Sequence, residues 1–208
     1  MTSRLKSVLL ASAFTLSATA ASAQTSIGPV TSKDVVFQIL TDRFYNGDSS
    51  NNIPPGSPSS IFDGTGNDLK LYQGGDFDGI VAKIPYLKNM GVTAVWISAP
   101  YANRDEPIID FQPGGGQLIW SSYHGYHASN FFRTNKHYGG MKDFTDMVNA
   151  LHAQGIKVVI DFVSNHTSRW QNPTNNFSTE NGKLFEPDHN ASNQFVFNAD
   201  GDPVELNG

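Results

Sequence analysis

The sequence predicts an α/β protein with a parallel sheet, and two observations lead to this prediction. Three short apolar stretches rich in β-branched residues alternate along the chain with two stretches of helical periodicity. The strand-like stretches are nearly continuous in apolar character, which is typical of parallel strands covered on both faces. The order strand, helix, strand, helix, strand is the pattern of a parallel α/β architecture.

The predicted strands are short and are separated by long segments without periodicity. The strands cover 35–40, 92–98 and 156–160. The segments 46–73 and 113–138 contain many glycine, asparagine and serine residues, and both are predicted to be loops. Loops of this length in a compact domain usually carry a function or are held in place by a ligand.

Two helices are predicted between the strands. Apolar residues recur at helical spacing over 77–90, where only Pro85 interrupts the pattern, and Gly91 is a fitting terminator. The second helix is predicted over 143–154 and ends at Gly155. Each helix therefore stands between two predicted strands, as a parallel sheet requires.

The N-terminal residues have the three parts of a secretory signal peptide. Arg4 and Lys6 supply a positive start, and an apolar stretch over 8–20 follows that is too short to span a bilayer. The small residues Ala21-Ser22-Ala23 then form a cleavage signal. The sequence predicts a signal peptide over 1–23, cleaved after Ala23, and a protein secreted to the extracellular space.

Composition limits the classes of partner. The chain has 208 residues, a formal net charge of −5 and no cysteine. The negative charge argues against nucleic-acid binding and against anionic membranes. No second apolar stretch is long enough for a membrane span, so we expect no membrane association. We also expect the protein to be a monomer.

Four polar clusters lie in the loops that follow the predicted strands. They occupy 41–52, 71–76, 123–127 and 161–166. The last of these, Asp161-Phe162-Val163-Ser164-Asn165-His166, comes directly after the third strand. Carboxyl ends of parallel strands meet at one edge of a sheet, and barrel enzymes bind their substrates at that edge.

Together these clusters resemble the alpha-amylase family, glycoside hydrolase family thirteen, and within it the cyclodextrin glucanotransferase and maltogenic amylase branch. The resemblance rests on Asp161-x-x-x-Asn165-His166, Tyr123-His124-Gly125-Tyr126 and Gly74-Gly75-Asp76, and it covers 33–169. It implies a (β/α)8 TIM barrel with a domain inserted after the third strand. On this expectation, 24–166 form the N-terminal part of the barrel with its first three strands, and 167–208 begin the inserted domain.

The resemblance implies a sugar-binding role for three side chains. His124, Tyr126 and His166 would bind an α-1,4-glucan, with the Tyr126 ring stacked on a sugar, and Asp161 would support the site. From the residues alone, the histidines could instead be satisfied core side chains and Tyr126 a packed one.

The resemblance also implies Ca²⁺ as cofactor, at two places. Asn165 would bind a calcium ion where the barrel meets the inserted domain. A second ion would be held in the first loop by Asn46, Asp48, Asn51, Asn52, Gly74 (through its carbonyl) and Asp76. Calcium takes six to eight oxygen ligands of these kinds in flexible geometry. The alternative is that the asparagine and glycine residues are only turn formers.

The sequence departs from the family pattern at two positions. His127 stands where the family usually has tryptophan, which alters one aromatic wall of the cleft. Phe37 stands where tyrosine is common, so a hydroxyl is lost. These departures concern details of sugar binding.

The expected reaction is retaining cleavage of α-1,4-glucans, by a glycosidase or a glucanotransferase. That reaction needs a nucleophilic carboxylate and a carboxylic acid about 5–5.5 Å apart. In the family both follow later strands, so these 208 residues are expected to lack them, to fold poorly and to be inactive alone. The alternative is a non-catalytic glucan- or calcium-binding protein derived from such an enzyme. A nucleotide-binding α/β protein is excluded because no glycine-rich phosphate loop follows a strand.

Overall fold

The computed structural model describes residues 27–111, 113–166 and 168. The predicted signal peptide lies outside the described residues, as does the predicted inserted domain apart from Ser168. Within the described part, no helix has the length and apolar character that a membrane span requires.

The described residues form seven strands and four α-helices. The strands are β1 (Val36–Ile39), β2 (Ala94–Ile97), β3 (Tyr101–Asn103), β4 (Ile108–Phe111), β5 (Gln117–Trp120), β6 (Ala128–Thr134) and β7 (Lys157–Ile160). The helices are α1 (Thr41–Phe44), α2 (Phe77–Ala82), α3 (Ile84–Asn89) and α4 (Met141–Ala153). Two short 3-10 turns, Ser49–Asn51 and Ser59–Ile61, lie in the first long loop.

The three strands predicted from the sequence form one parallel sheet in the order β1-β2-β7. Their register places Phe37 beside Val95, and Val95 beside Val158. Because all three strands run the same way, the segments that follow β1, β2 and β7 start from the same edge of the sheet. The predicted parallel α/β arrangement is confirmed for these strands.

The segment predicted as one helix over 77–90 contains two. Lys83 separates α2 from α3, and Pro85 lies in the first turn of α3, where its missing N–H costs nothing. The Asp76 carboxylate begins α2 by accepting a hydrogen bond from Gly79 N–H at 2.6 Å. The helix α4 begins two residues earlier than predicted, and the Asp143 carboxylate accepts from Gly140 N–H there.

The prediction of a loop over 113–138 was wrong in part. Strands β4 and β5 form an antiparallel hairpin, with Ile109 opposite Ile119. Strand β6 pairs with β3, also antiparallel. Gly114 and Gly115 reverse the chain in the hairpin with φ values of 98° and 93°, which favour glycine. The glycine-rich turn dominated the sequence pattern, although short apolar runs flank it on both sides.

The core lies between one face of the sheet and the helices. Ile97 is buried there together with Phe77 and Ile80 of α2 and Met147 and Leu151 of α4. Burying a side chain of this size contributes about 1.5–3 kcal/mol, so this contact holds α2 and α4 on the sheet.

Coverage on both faces was predicted for all three strands, and the described residues do not show it. Val36, Trp96 and Ile160 remain 48%, 39% and 42% exposed. Among the described residues, three strands leave apolar side chains without a covering layer.

Candidate functional site

The structure brings the four predicted sugar-site residues together beside the end of β7. The Tyr126 hydroxyl donates to Asp161 Oδ2 at 3.1 Å. His166 Nε2 lies 3.0 Å from the Tyr126 carbonyl oxygen, which can only accept, so the imidazole donates. The segment after β7 and the Tyr-His-Gly-Tyr segment before β6 are thus joined by two hydrogen bonds that both involve Tyr126.

His124 has a fixed tautomer. Its Nδ1 accepts a hydrogen bond from Tyr126 N–H at 2.9 Å, so the hydrogen of the neutral ring is on Nε2. Burial, together with the charges that His127 and His166 can carry, lowers the pKa of His124 to about 4. At neutral pH the side chain is therefore an uncharged donor, and the described residues offer no protein acceptor for Nε2–H.

Tyr126 combines an accessible ring with a restrained position. The side chain is 39% exposed, and its ring centre lies 5.2 Å from that of His124. Burial and the hydrogen bond to Asp161 raise the pKa of the Tyr126 hydroxyl, so it stays a donor. A ring held at its backbone and at its hydroxyl presents one face in a fixed direction.

His166 contacts protein with both ring nitrogens. Nε2 donates to the Tyr126 carbonyl, and Nδ1 lies 3.2 Å from Asn165 Nδ2, which donates to it. In this arrangement His166 orients the Tyr126 segment. Asn165 is exposed. It is the one ligand predicted for the junction calcium site, and it lies among the described residues.

Arg43 is a site residue to which the sequence assigned no role. Its guanidinium carbon lies 3.8 Å from the centre of the Tyr123 ring, next to His124 in the chain. Its Nε contacts Asp42 Oδ2 at 2.9 Å, and its NH2 group donates to the carbonyls of Leu69 and Leu71. The Tyr138 hydroxyl donates to the Tyr123 carbonyl from another direction. Arg43 belongs to the polar cluster 41–52, which the sequence singles out. Its contacts could not be predicted from that cluster, because Leu69, Leu71 and Tyr123 lie far along the chain.

Two buried carboxylates close the first long loop. Asp42, which is 2% exposed, accepts hydrogen bonds from Gln73 N–H and Gly74 N–H at 2.9–3.1 Å. Burial raises the pKa of Asp42 to about 6, against the opposing effect of these hydrogen bonds and of Arg43. The C-terminal end of the loop is therefore fixed to the residues that follow β1.

Asp76 performs the same task for the start of the loop. Its carboxylate accepts from Gly47 N–H, Asp48 N–H and Gly79 N–H at 2.6–3.1 Å. Burial raises the pKa of Asp76, and the backbone donors oppose that shift. The carboxylate thus links the loop to the first turn of α2.

The six predicted first-loop calcium ligands lie near one another. Asn46 Nδ2 donates to Asn52 Oδ1 at 2.8 Å, and a Cβ built on Gly74 would overlap Asn52 Oδ1 and lie 2.6 Å from Asn46 Nδ2. Asn51 Nδ2 is 3.5 Å from Asp76 Oδ2. Asp76 also holds the backbone of Asp48.

This group fits calcium in its donor set. It offers two carboxylates, three amide groups and a carbonyl, which are the oxygen ligands that calcium prefers. Asn51 Oδ1 is buried and has no hydrogen-bond partner in the described part of the chain, as a ligand oxygen would. The described residues contain no metal-binding group of three or more His, Cys, Asp or Glu side chains, so the fit depends on the amides and the Gly74 carbonyl.

The two departures from the family pattern have structural partners. His127 Nδ1 lies 3.1 Å from Ser122 Oγ, and Asn103 Oδ1 accepts from His127 N–H at 2.9 Å. The imidazole is therefore held against the loop that contains His124. Phe37 packs against Phe44 with ring centres 6.2 Å apart, an apolar contact that needs no hydroxyl.

Comparison with known proteins identifies the family. The family model for the alpha-amylase catalytic domain matches residues 38–205. The chain is 46% identical over 157 residues to a cyclomaltodextrin glucanotransferase of Thermoanaerobacterium thermosulfurigenes and 45% identical to one of Bacillus licheniformis. Each alignment covers 74% of this chain, and 21% and 20% of the relatives, so the chain spans about a fifth of their length.

Solved structures show the same similarity. A cyclomaltodextrin glucanotransferase with a three-domain ABC distribution aligns with a TM-score of 0.61 and 44% identity, covering 68% of this chain and 28% of that one. The gamma-cyclodextrin glucanotransferase of alkalophilic Bacillus clarkii aligns with a TM-score of 0.54 and 46% identity. That alignment covers 65% of this chain and 19% of the other.

Proposed function

The chain belongs to the alpha-amylase family, on its cyclodextrin glucanotransferase-like side, and from this we propose that the protein acts on α-1,4-glucans. In this proposal β1, β2 and β7 are the first three strands of a (β/α)8 barrel. The protein is secreted, and it depends on calcium. The reaction is retaining transfer of a glucosyl chain to water or to another sugar.

The observation that carries the proposal is the joint arrangement of His124 and Tyr126. A neutral imidazole with a free Nε2–H is a donor suited to a sugar hydroxyl, and it does not add charge to the site. The exposed ring of Tyr126 supplies an apolar face for sugar C–H groups. Donor and ring lie within one loop, next to the strand end where barrel enzymes bind substrates.

Each of the other two residues has a role through Tyr126. Asp161 accepts the hydrogen bond of the Tyr126 hydroxyl and so sets the plane of the ring. His166 holds the Tyr126 carbonyl, and this also positions the N–H that Tyr126 donates to His124. Asp161 is thereby a supporting residue, and we assign it neither the nucleophilic nor the acid role.

The first-loop group is the proposed calcium site. Calcium bound by Asn46, Asp48, Asn51, Asn52, Gly74 and Asp76 would neutralise two carboxylates and stiffen the stretch 46–52, which contains no apolar side chain. The protein itself contributes the ordering of this segment. Asp42 and Asp76 already hold its backbone, so the ligands need little rearrangement.

The proposal is tested by incubating the purified protein with maltoheptaose and, separately, with cellopentaose, which has β-1,4 linkages. We expect a protein that also contains the later strands, with their reacting carboxylates, to bind maltoheptaose and convert it to shorter or cyclic products, and the 208 residues alone to form no product. Cellopentaose should be left unchanged by both. The variant His124→Ala should bind maltoheptaose at least tenfold more weakly, because it removes the donor. His152→Ala, a change in α4, is the matched control and should bind as the original protein does.

The same experiment separates the second candidate function. A non-catalytic glucan-binding protein would bind maltoheptaose, lose that binding in His124→Ala, and form no product. This candidate remains because the proposed sugar contacts of His124 and Tyr126 do not depend on a reactive carboxylate. Absence of both binding and product would contradict both functions.

A further inference from the structure

The buried imidazole of His137 lies outside the proposed sugar site and ligand set. It is 3% exposed and stacks on the Tyr72 ring, with centres 4.0 Å apart and planes 14° from parallel. Tyr72 is itself held by Asn135, whose amide nitrogen donates to the Tyr72 hydroxyl at 3.1 Å. Stacking on Tyr72 thus already fixes the plane of the His137 ring, in addition to any hydrogen bonds of its nitrogens.

Both nitrogens of His137 face acceptors. Nδ1 lies 3.2 Å from the backbone carbonyl oxygen of Asn52, and Nε2 lies 2.8 Å from Asp105 Oδ1. A carbonyl oxygen can only accept, so Nδ1 donates to Asn52. Lys136 Nζ contacts the other oxygen of Asp105 at 2.7 Å. Burial would raise the pKa of Asp105, but the hydrogen bonds from His137 and Lys136 outweigh it and lower that pKa.

The hydrogen bond from His137 is made to the backbone of Asn52, one of the six predicted calcium ligands. Asn52 Oδ1 is the atom on which Asn46 Nδ2 and the close approach of Gly74 converge. A backbone carbonyl fixed by a buried, stacked ring limits the directions in which the Asn52 side chain can point. Asp105 also accepts from Ser57 Oγ at 2.9 Å, so the loop is held again five residues further on.

The set Ser57, His137 and Asp105 does not form a nucleophilic triad. Ser57 donates its hydroxyl hydrogen to Asp105, and its distance to His137 Nε2 is 3.5 Å. The imidazole therefore has no free lone pair directed at the serine, which activation would require. The cluster holds positions and performs no chemistry of its own.

We propose that His137, oriented by Tyr72 and Asp105, is a positioning residue for the first-loop calcium site, acting through the Asn52 backbone. This inference rests on the calcium site proposed above. Residues that orient metal ligands from outside typically change metal affinity 10–100-fold when they are replaced. A packing role alone would leave the affinity unchanged, because a residue of the same size would preserve it.

The test is a calcium titration of the full chain after removal of bound metal with a chelator, followed by isothermal calorimetry. His137→Phe keeps a flat ring for Tyr72 and loses both hydrogen bonds. We expect it to weaken calcium binding 10–100-fold. Asp105→Asn keeps the imidazole and removes its charged partner, with a smaller loss in the same direction. His152→Phe, the same exchange in α4, should bind calcium within about twofold of the original chain.

A second readout separates positioning from packing. The thermal midpoint is measured with and without calcium for each variant. We expect the increase produced by calcium to shrink in His137→Phe. A fall in the metal-free midpoint with an unchanged calcium increment would overturn the inference, as would equal affinities.

Two further outcomes are informative. If His137→Phe does not fold, Asp105→Asn carries the test, and unchanged affinity in that variant overturns the inference. If the original chain binds no calcium, the calcium part of the proposed function fails, and this inference fails with it. Binding by the original chain with equal binding by the variants overturns this inference alone.

Discussion

The guanidinium of Arg43, in α1, lies over the ring of Tyr123, in the loop before β6, 3.8 Å from the ring centre. The same guanidinium contacts Asp42, whose carboxylate holds Gly74 N–H. Arg43 is therefore connected through Asp42 to Gly74 of the candidate calcium site, and Tyr123 is followed in the chain by His124 of the candidate sugar site. Loosening Arg43 should consequently be felt at both sites.

We expect Arg43→Lys to lower the free energy of unfolding by about 1–2 kcal/mol, because a lysine cannot reproduce the stacked, forked contacts of the guanidinium. It should also weaken maltoheptaose binding through Tyr123 and His124. The free energy is measured by urea unfolding and the binding by calorimetry. Lys33→Arg, at an exposed position, is the control and should stay within about 0.5 kcal/mol. Unchanged stability in Arg43→Lys would contradict the assigned contact.

The hydrogen bond between Tyr126 and Asp161 is open to a double-mutant cycle. Tyr126→Phe keeps the ring and loses the hydroxyl, and Asp161→Asn changes its acceptor. We expect a coupling energy of about 0.5–1.5 kcal/mol in maltoheptaose binding, the usual contribution of one such bond. Tyr126→Ala should weaken binding more than Tyr126→Phe, because it also removes the ring. Additive effects of the two single changes would show that Asp161 does not act through Tyr126.

The lowered pKa of His124 predicts a dependence of stability on pH. The ordinary histidine pKa is about 6.5, and the folded value is about 4. Between these values the unfolded chain binds more protons, so the contribution of His124 to stability falls as the pH drops from about 6.5 to about 4. Asp42, with a folded pKa raised to about 6, changes stability in the opposite sense over much of this range.

The two contributions are separated by comparing the original chain with His124→Gln. The difference in their free energies of unfolding should change between pH 7 and pH 5, with the original chain losing more stability. Nuclear magnetic resonance of the His124 imidazole should show a titration midpoint near 4. A midpoint close to 6.5 would mean that the ring is solvated.

Gly74 and Gly56 form a matched pair for the first loop. Both have positive φ, 93° and 82°, but a Cβ at Gly74 meets Asn52 and Asn46, whereas one at Gly56 has nothing within 4 Å. Alanine should cost about 1–2 kcal/mol at Gly56 from the backbone alone. Gly74→Ala should cost more and should weaken calcium binding at least tenfold. Equal calcium affinities in the two variants, measured by calorimetry, would show that Gly74 lies outside the site.

The sequence predicted the parallel sheet because its strands are short, apolar and rich in β-branched residues, a pattern typical of parallel strands. It predicted α4 from its periodicity to within two residues at its start. The pairing of β3 with β6 depends on residues about 30 positions apart with register shifts between them, and no local pattern records that. Pro85 marks the division of 77–90 at Lys83, because proline is favoured in the first turn of a helix.

The sequence motifs predicted which residues belong to the candidate site, and the structure showed which hydrogen bonds join them. Nothing local in the sequence tells that Tyr126 donates to Asp161, 35 positions away, or that His137 reaches Asn52, 85 positions away. These contacts follow from how the loops cross above the sheet. The resemblance to the alpha-amylase family is confirmed, while the individual sugar and calcium contacts remain predictions.

The two carboxylates that fasten the first loop have a consequence for handling the protein. The chain contains no cysteine, and the Asp42 carboxylate accepts a hydrogen bond from Gly74 N–H, 32 positions away. Such fastenings form again without an oxidant or a disulfide isomerase after the chain has been unfolded. The same loop can therefore close in a reducing cytoplasm and in an oxidising medium, so production inside a bacterial host requires no redox assistance.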